Sequence, residues 1–158
     1  MLKCQGKGVY GAVAVGKISV FKRQDVQVRR EKIEDPAAEL KRLEAAKSAA
    51  IAQLQEIYEK ALREVGEANA AIFEIHMMMV EDEDYNDAIT EMITTQNVNA
   101  EYAVAITGDN FAEMFAAMDD AYMQARSADV RDISNRIISC LTNGGSTEAQ
   151  SDEPVIIC

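Results

Sequence analysis

The apolar positions of this chain follow two different periods. Between Lys3 and Arg30 they are short and β-branched: Val9, Val13, Val15, Ile18 and Val20, with Gly8, Gly11 and Gly16 between them. That pattern predicts strand, with a turn at Gln24-Asp25 and a brief alternation at Val26-Gln27-Val28. From Asp35 onward the period becomes helical. Asp35 is a capping residue and Pro36 suits the first helical position. Leu40, Leu43, Ala46, Ala50, Leu54, Ile57, Ala61 and Val65 then recur at steps of three and four, which predicts one helix of about 30 residues. Gly66 breaks it.

A second helix is expected from about Asn69, through Ile72, Phe73, His76, Met79 and Val80. The Glu81-Asp82-Glu83-Asp84 cluster can cap a segment carrying Ala88, Ile89, Met92 and Ile93. Asn97 to Asn99 reads as a break, with Asn99 capping a helix through Tyr102, Ala105, Ile106, Phe111, Met114 and Phe115. Asp119 or Asp120 starts the last helix, which carries Tyr122, Ala125, Val130, Ile133, Ile137 and Ile138. Arg126, Arg131 and Arg136 are expected in its later turns, where they would suit the helix dipole. Asn143-Gly144-Gly145 ends it, a polar linker follows, and Pro154-Val155-Ile156-Ile157 reads as a strand.

A helix of about 30 residues is about 45 Å long, too long to lie on a small globule. The expected fold is therefore mainly α: an antiparallel four-helix bundle inserted between strands of an incomplete α/β subdomain. The expected divisions are a β segment at 1–30, a helical subdomain at 31–144, and a linker with a returning strand at 145–158. A strand needs a sheet, so the closing strand leads us to expect a piece of a longer protein or a shortened reading frame.

Charge sharpens this picture. Between Arg63 and Arg126 there is no Lys or Arg, and there are fourteen Asp and Glu. The overall formal charge of −11 is thus concentrated in the middle of the chain. Such a surface repels nucleic acid and anionic lipid and steers in a basic partner. Met1-Leu2-Lys3-Cys4 lacks the apolar core of a signal peptide, and no run is long enough to span a membrane. Cys4, Cys140 and Cys158 show neither a metal-ligand spacing nor a disulfide framework, so a cytoplasmic location is expected.

The candidate chemistry is sparse. His76 is the sole histidine, which limits triads, three-histidine zinc sites and two-histidine di-iron bundles. Glu74 and His76 are too close in sequence to share a helix face. No phosphate-binding glycine loop is present, and Gly6-x-Gly8-x-x-Gly11 precedes a strand without a βαβ unit behind it. Met77-Met78-Met79 is more informative. Three successive positions span most of a helix's circumference, so at least one should face outward. Methionine suits adaptable binding surfaces. An exposed methionine rimmed by Glu67, Glu74, Asp82 and Asp84 would suit an amphipathic partner with basic residues.

Two stretches carry a family resemblance: Ala71-Ile72-Phe73-Glu74-Ile75-His76-Met77-Met78-Met79-Val80-Glu81-Asp82 and Ala125-Arg126-Ser127-Ala128-Asp129-Val130-Arg131-Asp132-Ile133. Together they resemble the N-terminal domain of enzyme I of the bacterial sugar phosphotransferase system, the phosphoenolpyruvate–protein phosphotransferase. Val9 to Lys17 resembles that family's first strand. Ala68 stands where the family often has an acid, and Ile75 where it often has a small residue. Tyr10-Gly11-Ala12 replaces the usual Ser-Pro-Gly.

The resemblance implies a helical subdomain that docks the small phosphocarrier protein HPr for histidine-to-histidine phosphoryl transfer. Carried over by position, the docking face would comprise Glu67, Ala71, Glu74, His76, Met78, Met79, Asp82, Asp84, Phe115, Met123 and Arg126. The family's phosphorylated histidine lies in a later loop, and its phosphoenolpyruvate and Mg²⁺ sites lie in a C-terminal barrel. The expectation is therefore a docking unit with no catalytic residue, metal or cofactor of its own, working with that C-terminal phosphoenolpyruvate-binding domain. The alternative is a stand-alone acidic helical-bundle adaptor without catalytic activity.

Overall fold

The computed structural model describes residues 28–143, together with the short segments 17–19 and 155–157. Most of the expected N-terminal strand pattern, with the Gln24-Asp25 turn and Val26-Gln27, lies outside the described residues. The chain divides into two units. One comprises Met1–Asp25 with Glu148–Cys158, and the other Val26–Thr147. In the first, β1 (Lys17–Ser19) and β2 (Val155–Ile157) pair in parallel, with Lys17 opposite Val155 and Ser19 opposite Ile157. Parallel neighbours need a long crossover, and here the whole helical unit intervenes in sequence.

The helical unit holds five helices: α1 (Pro36–Glu64), α2 (Glu67–Val80), α3 (Glu83–Gln96), α4 (Ala100–Ala116) and α5 (Ala121–Asn143). Their ends follow local chemistry. The Asp35 carboxylate accepts from the amides of Ala37 and Ala38, and Pro36 takes the first position of α1, satisfying amides that a helix start leaves unpaired. Gly66 adopts φ +85°, a backbone that L side chains rarely adopt, so the chain can turn from α1 into α2. Glu67, rather than Asn69, therefore opens α2. Asp82 caps α3 through the Tyr85 amide. Asp120, not Asp119, caps α5 through the amides of Tyr122 and Met123.

Asn99 occupies the cap position of α4, but its side chain makes no cap bond. Glu39 of α1 supplies that bond instead, accepting from the Ala100 amide at 2.6 Å. Asn99 accepts from the Glu31 amide and donates to Glu101. With Ile33 N–H to the Asn97 carbonyl and Asn99 N–H to the Glu31 carbonyl, this fastens the segment before α1 to the α3–α4 turn. Asn97 itself is left-handed, at φ 50°, a conformation asparagine tolerates better than most residues.

The core runs along one seam of α1: Leu43, Ala46, Ala50 and Leu54. Val80, Tyr85, Ile89, Ile93, Val104, Val130, Ile133 and Ile137 close over it. The predicted seam overshoots, because Val65 is the C-cap of α1 and 56% exposed. Small residues let α4 and α5 approach closely: Ala100, Ala103, Gly108 and Ala112 are all buried. Where they meet, Tyr85 and Ser134 hydroxyls pair at 2.8 Å, and Tyr85 packs edge-on against Phe111. Burial pushes the Cys140 thiol up, partly offset by Arg136 and Gln53, so this free thiol behaves as core.

The three arginines of α5 do not serve its dipole, because the helix runs on to Asn143 and its last turn carries no base. Arg126 meets Asp129 instead. Arg131 lies 3.9 Å from Asp109, and Arg136 donates to Gln53 of α1.

Candidate docking face

The helical period sorts the predicted face into two groups. Glu67, Ala71, Glu74 and Met78 are spaced by four, three and four on α2, so they share one face. Glu67, Glu74 and Met78 are exposed and Ala71 is half-buried. Met78 is 70% exposed, the highest of the large apolar side chains among the described residues. Met77 and Met79 are half-buried against the core, so the methionine triplet sends one side chain outward. Tyr58 of α1 borders this stripe. Its phenol is raised by desolvation and by the charges of Glu74 and Glu67.

His76 points elsewhere. Its Nε2 lies 3.4 Å from Asp129 Oδ1 of α5, and its side chain is 12% exposed. The Phe73 ring stands edge-on to the imidazole, 6.4 Å between centroids. The other Asp129 oxygen faces Arg126 Nη1 at 3.5 Å. Arg126 in turn stacks over the Tyr122 ring, 4.6 Å from its centroid, and donates to the Tyr122 hydroxyl. Tyr122 is 65% exposed, while the Arg126 side chain is 13% exposed. The structure thus joins His76 and Arg126 through Asp129.

The remaining predicted residues lie at α3, α4 and α5. Asp82 and Asp84 are exposed at the start of α3, and Asp82 is engaged as its cap. Phe115 lies in the last turn of α4 and Met123 in the first turn of α5, both half-buried. Among the described residues no three His, Cys, Asp or Glu side chains converge as a metal-binding group. Sequence reasoning missed Asp129 as the connecting residue. Its signal was present three positions after Arg126, within a helical turn, but the reach across to α2 is visible only in the folded unit.

The helical unit thus carries an exposed acidic stripe with one apolar tip on α2 and a tethered arginine on α5. Residues 5–126 match the family described as PEP-utilising enzyme, N-terminal, and the chain belongs to that family. It is 34% identical over 137 residues to the phosphoenolpyruvate-protein phosphotransferase of Bacillus subtilis, covering 87% of this chain and 24% of that protein. It is 39% identical over 142 residues to the protein of the same name from Enterococcus faecalis, covering 89% of this chain and 24% of the relative. The chain thus spans about a quarter of the length of these relatives. Its fold matches the solution structure of an enzyme I protein with TM-score 0.78 and 31% identity, over 90% of this chain and 58% of that one. The N-terminal domain of a nitrogen-type enzyme 1 shares the fold, with TM-score 0.73 and 24% identity over 87% of this chain and 57% of that one.

Proposed function

We propose that the helical unit docks the phosphocarrier protein HPr, so that a histidine on the carrier aligns with a donor histidine outside these residues. The observation that carries this reading is the exposed Glu67–Ala71–Glu74–Met78 stripe, set in a span without a single Lys or Arg. Uncompensated carboxylates steer a basic surface in and raise its encounter rate. Met78 offers an adaptable apolar contact at the end of the stripe. Phosphoryl transfer between two histidines needs mainly alignment and charge handling, and docking supplies the alignment. Phosphoenolpyruvate and Mg²⁺ would be handled by a C-terminal domain beyond this chain, and the setting would be the cytoplasm.

The test is an NMR titration of the ¹⁵N-labelled chain with unlabelled HPr from the same organism, at low and at high salt. Shifts at Glu67–Asp84 and Phe115–Arg126 that fade with salt are the expected result, since screening weakens exposed charge pairs. A folded spectrum without shifts at low salt would reject docking and favour an acidic adaptor with another basic partner.

A further inference from the structure

Arg126 is the first base after a span holding fourteen acids. Its long side chain has many rotamers, and the structure holds it in one place. Tyr122 takes its face and one donor, and Asp129 takes Nη1. The second oxygen of Asp129 lies 3.4 Å from His76 Nε2 of α2. That nitrogen is buried and has no hydrogen-bond partner of its own, so nothing else competes for it. The groups facing the carboxylate are thus His76 from α2 and Arg126 from α5.

From this geometry we infer that Asp129 is a positioning residue of the docking face, an inference that rests on the docking reading above. Its carboxylate holds Arg126, itself a candidate docking residue, in one place beside Tyr122, presenting the guanidinium to a partner. The same carboxylate lies within 3.4 Å of His76 Nε2, so the placement of Arg126 is linked to the packing of α2 against α5. One half-buried side chain thus governs how the face is presented, without lying on the stripe itself.

Three variants test this: Asp129→Asn, Arg126→Ala and the two combined, with Asp129→Glu as the conservative control. HPr affinity should fall about tenfold in Asp129→Asn, within the coupling range of contacting residues. Arg126→Ala should weaken the parent chain but add nothing in the Asp129→Asn background, and Asp129→Glu should recover most of the loss. In the free chain, the guanidinium ¹⁵N signals of Arg126 should be restrained, and released by Asp129→Asn, a readout that general loosening of the fold would not single out. Unchanged affinity, additive losses, or an Arg126 signal indifferent to Asp129→Asn would overturn the inference while leaving docking intact. A parent chain that fails to bind HPr would overturn the docking reading and this inference with it.

Discussion

Gly108 of α4 lies directly against Ser134 of α5: a methyl group added at residue 108 would sit 2.8 Å from Ser134 Cβ and nearer still to its hydroxyl oxygen. Both residues are buried, and the obstacle is the inner end of a side chain, not a flexible tip. The two helices must therefore separate if residue 108 gains a side chain. Gly108→Ala should destabilise the unit by about 1–3 kcal/mol, the usual cost of overpacking, even though alanine favours helix. Urea midpoints check this, and adding Ser134→Ala should recover only part of the loss, because the Ser134 Cβ remains.

Tyr85 ties the same junction to pH. Desolvation pushes its phenol up to about 12 from the ordinary 10.0, partly offset by the Ser134 hydroxyl. The folded-state pKa is raised, so this contribution is fully present below pH 10 and is lost as pH rises toward 12. Two pKa units correspond to about 3 kcal/mol at most. Thermal or urea unfolding across that window should show the decline, and Tyr85→Phe should flatten it. An equally steep alkaline decline in the variant would assign the effect to other groups.

Glu101 works at the acid end. Burial pushes its carboxyl up, but Arg42, the backbone amide of its own helix start and Asn99 together outweigh that and hold it below the ordinary 4.5. A depressed folded-state pKa means stability that is present above the unfolded value and lost as pH falls through the folded one. Glu101→Gln should therefore be less stable at neutral pH and lose less on acidification. Urea midpoints at neutral pH and at about pH 3 make the comparison.

Reversal of Glu74 and Asp84 to Lys should weaken HPr binding mainly through the association rate, roughly tenfold at low salt and little at high salt. Glu74 belongs to the exposed stripe, and Asp84 is exposed in the first turn of α3. Stopped-flow association rates at two ionic strengths separate this from a change in dissociation. Unchanged binding at low salt would count against electrostatic steering.

Removing the Asp35 carboxylate isolates a local effect. It accepts from two amides at the start of α1, so Asp35→Ala should cost about 1 kcal/mol. The loss should appear as faster amide exchange in the first turn of α1, with the Leu43–Leu54 seam still protected.

Much of this fold is written in short-range chemistry. Asp35-Pro36 starts α1, Gly66 ends its run, and the 43-46-50-54 spacing names its buried seam. What escaped sequence reading depends on residues far apart. Glu39 caps α4 across 61 positions, so Asn99 looked like a conventional cap and is not one. The arginines of α5 looked like dipole partners, but the helix ends at Asn143 as read and its last turn lies beyond Arg136. The candidate face divides in the same way. Helical periodicity alone aligns Glu67, Ala71, Glu74 and Met78, whereas the turn of His76 toward Asp129 depends on how α2 meets α5.

The charge gap has a practical side for anyone handling the protein. Trypsin cuts after Lys and Arg, and α1 and α5 offer it several such sites. Helices α2, α3 and α4 offer none, so digestion releases the block Glu64–Arg126 as one unbroken acidic peptide. All eleven candidate docking residues travel on it, and a single mass reports whether any of them has been modified.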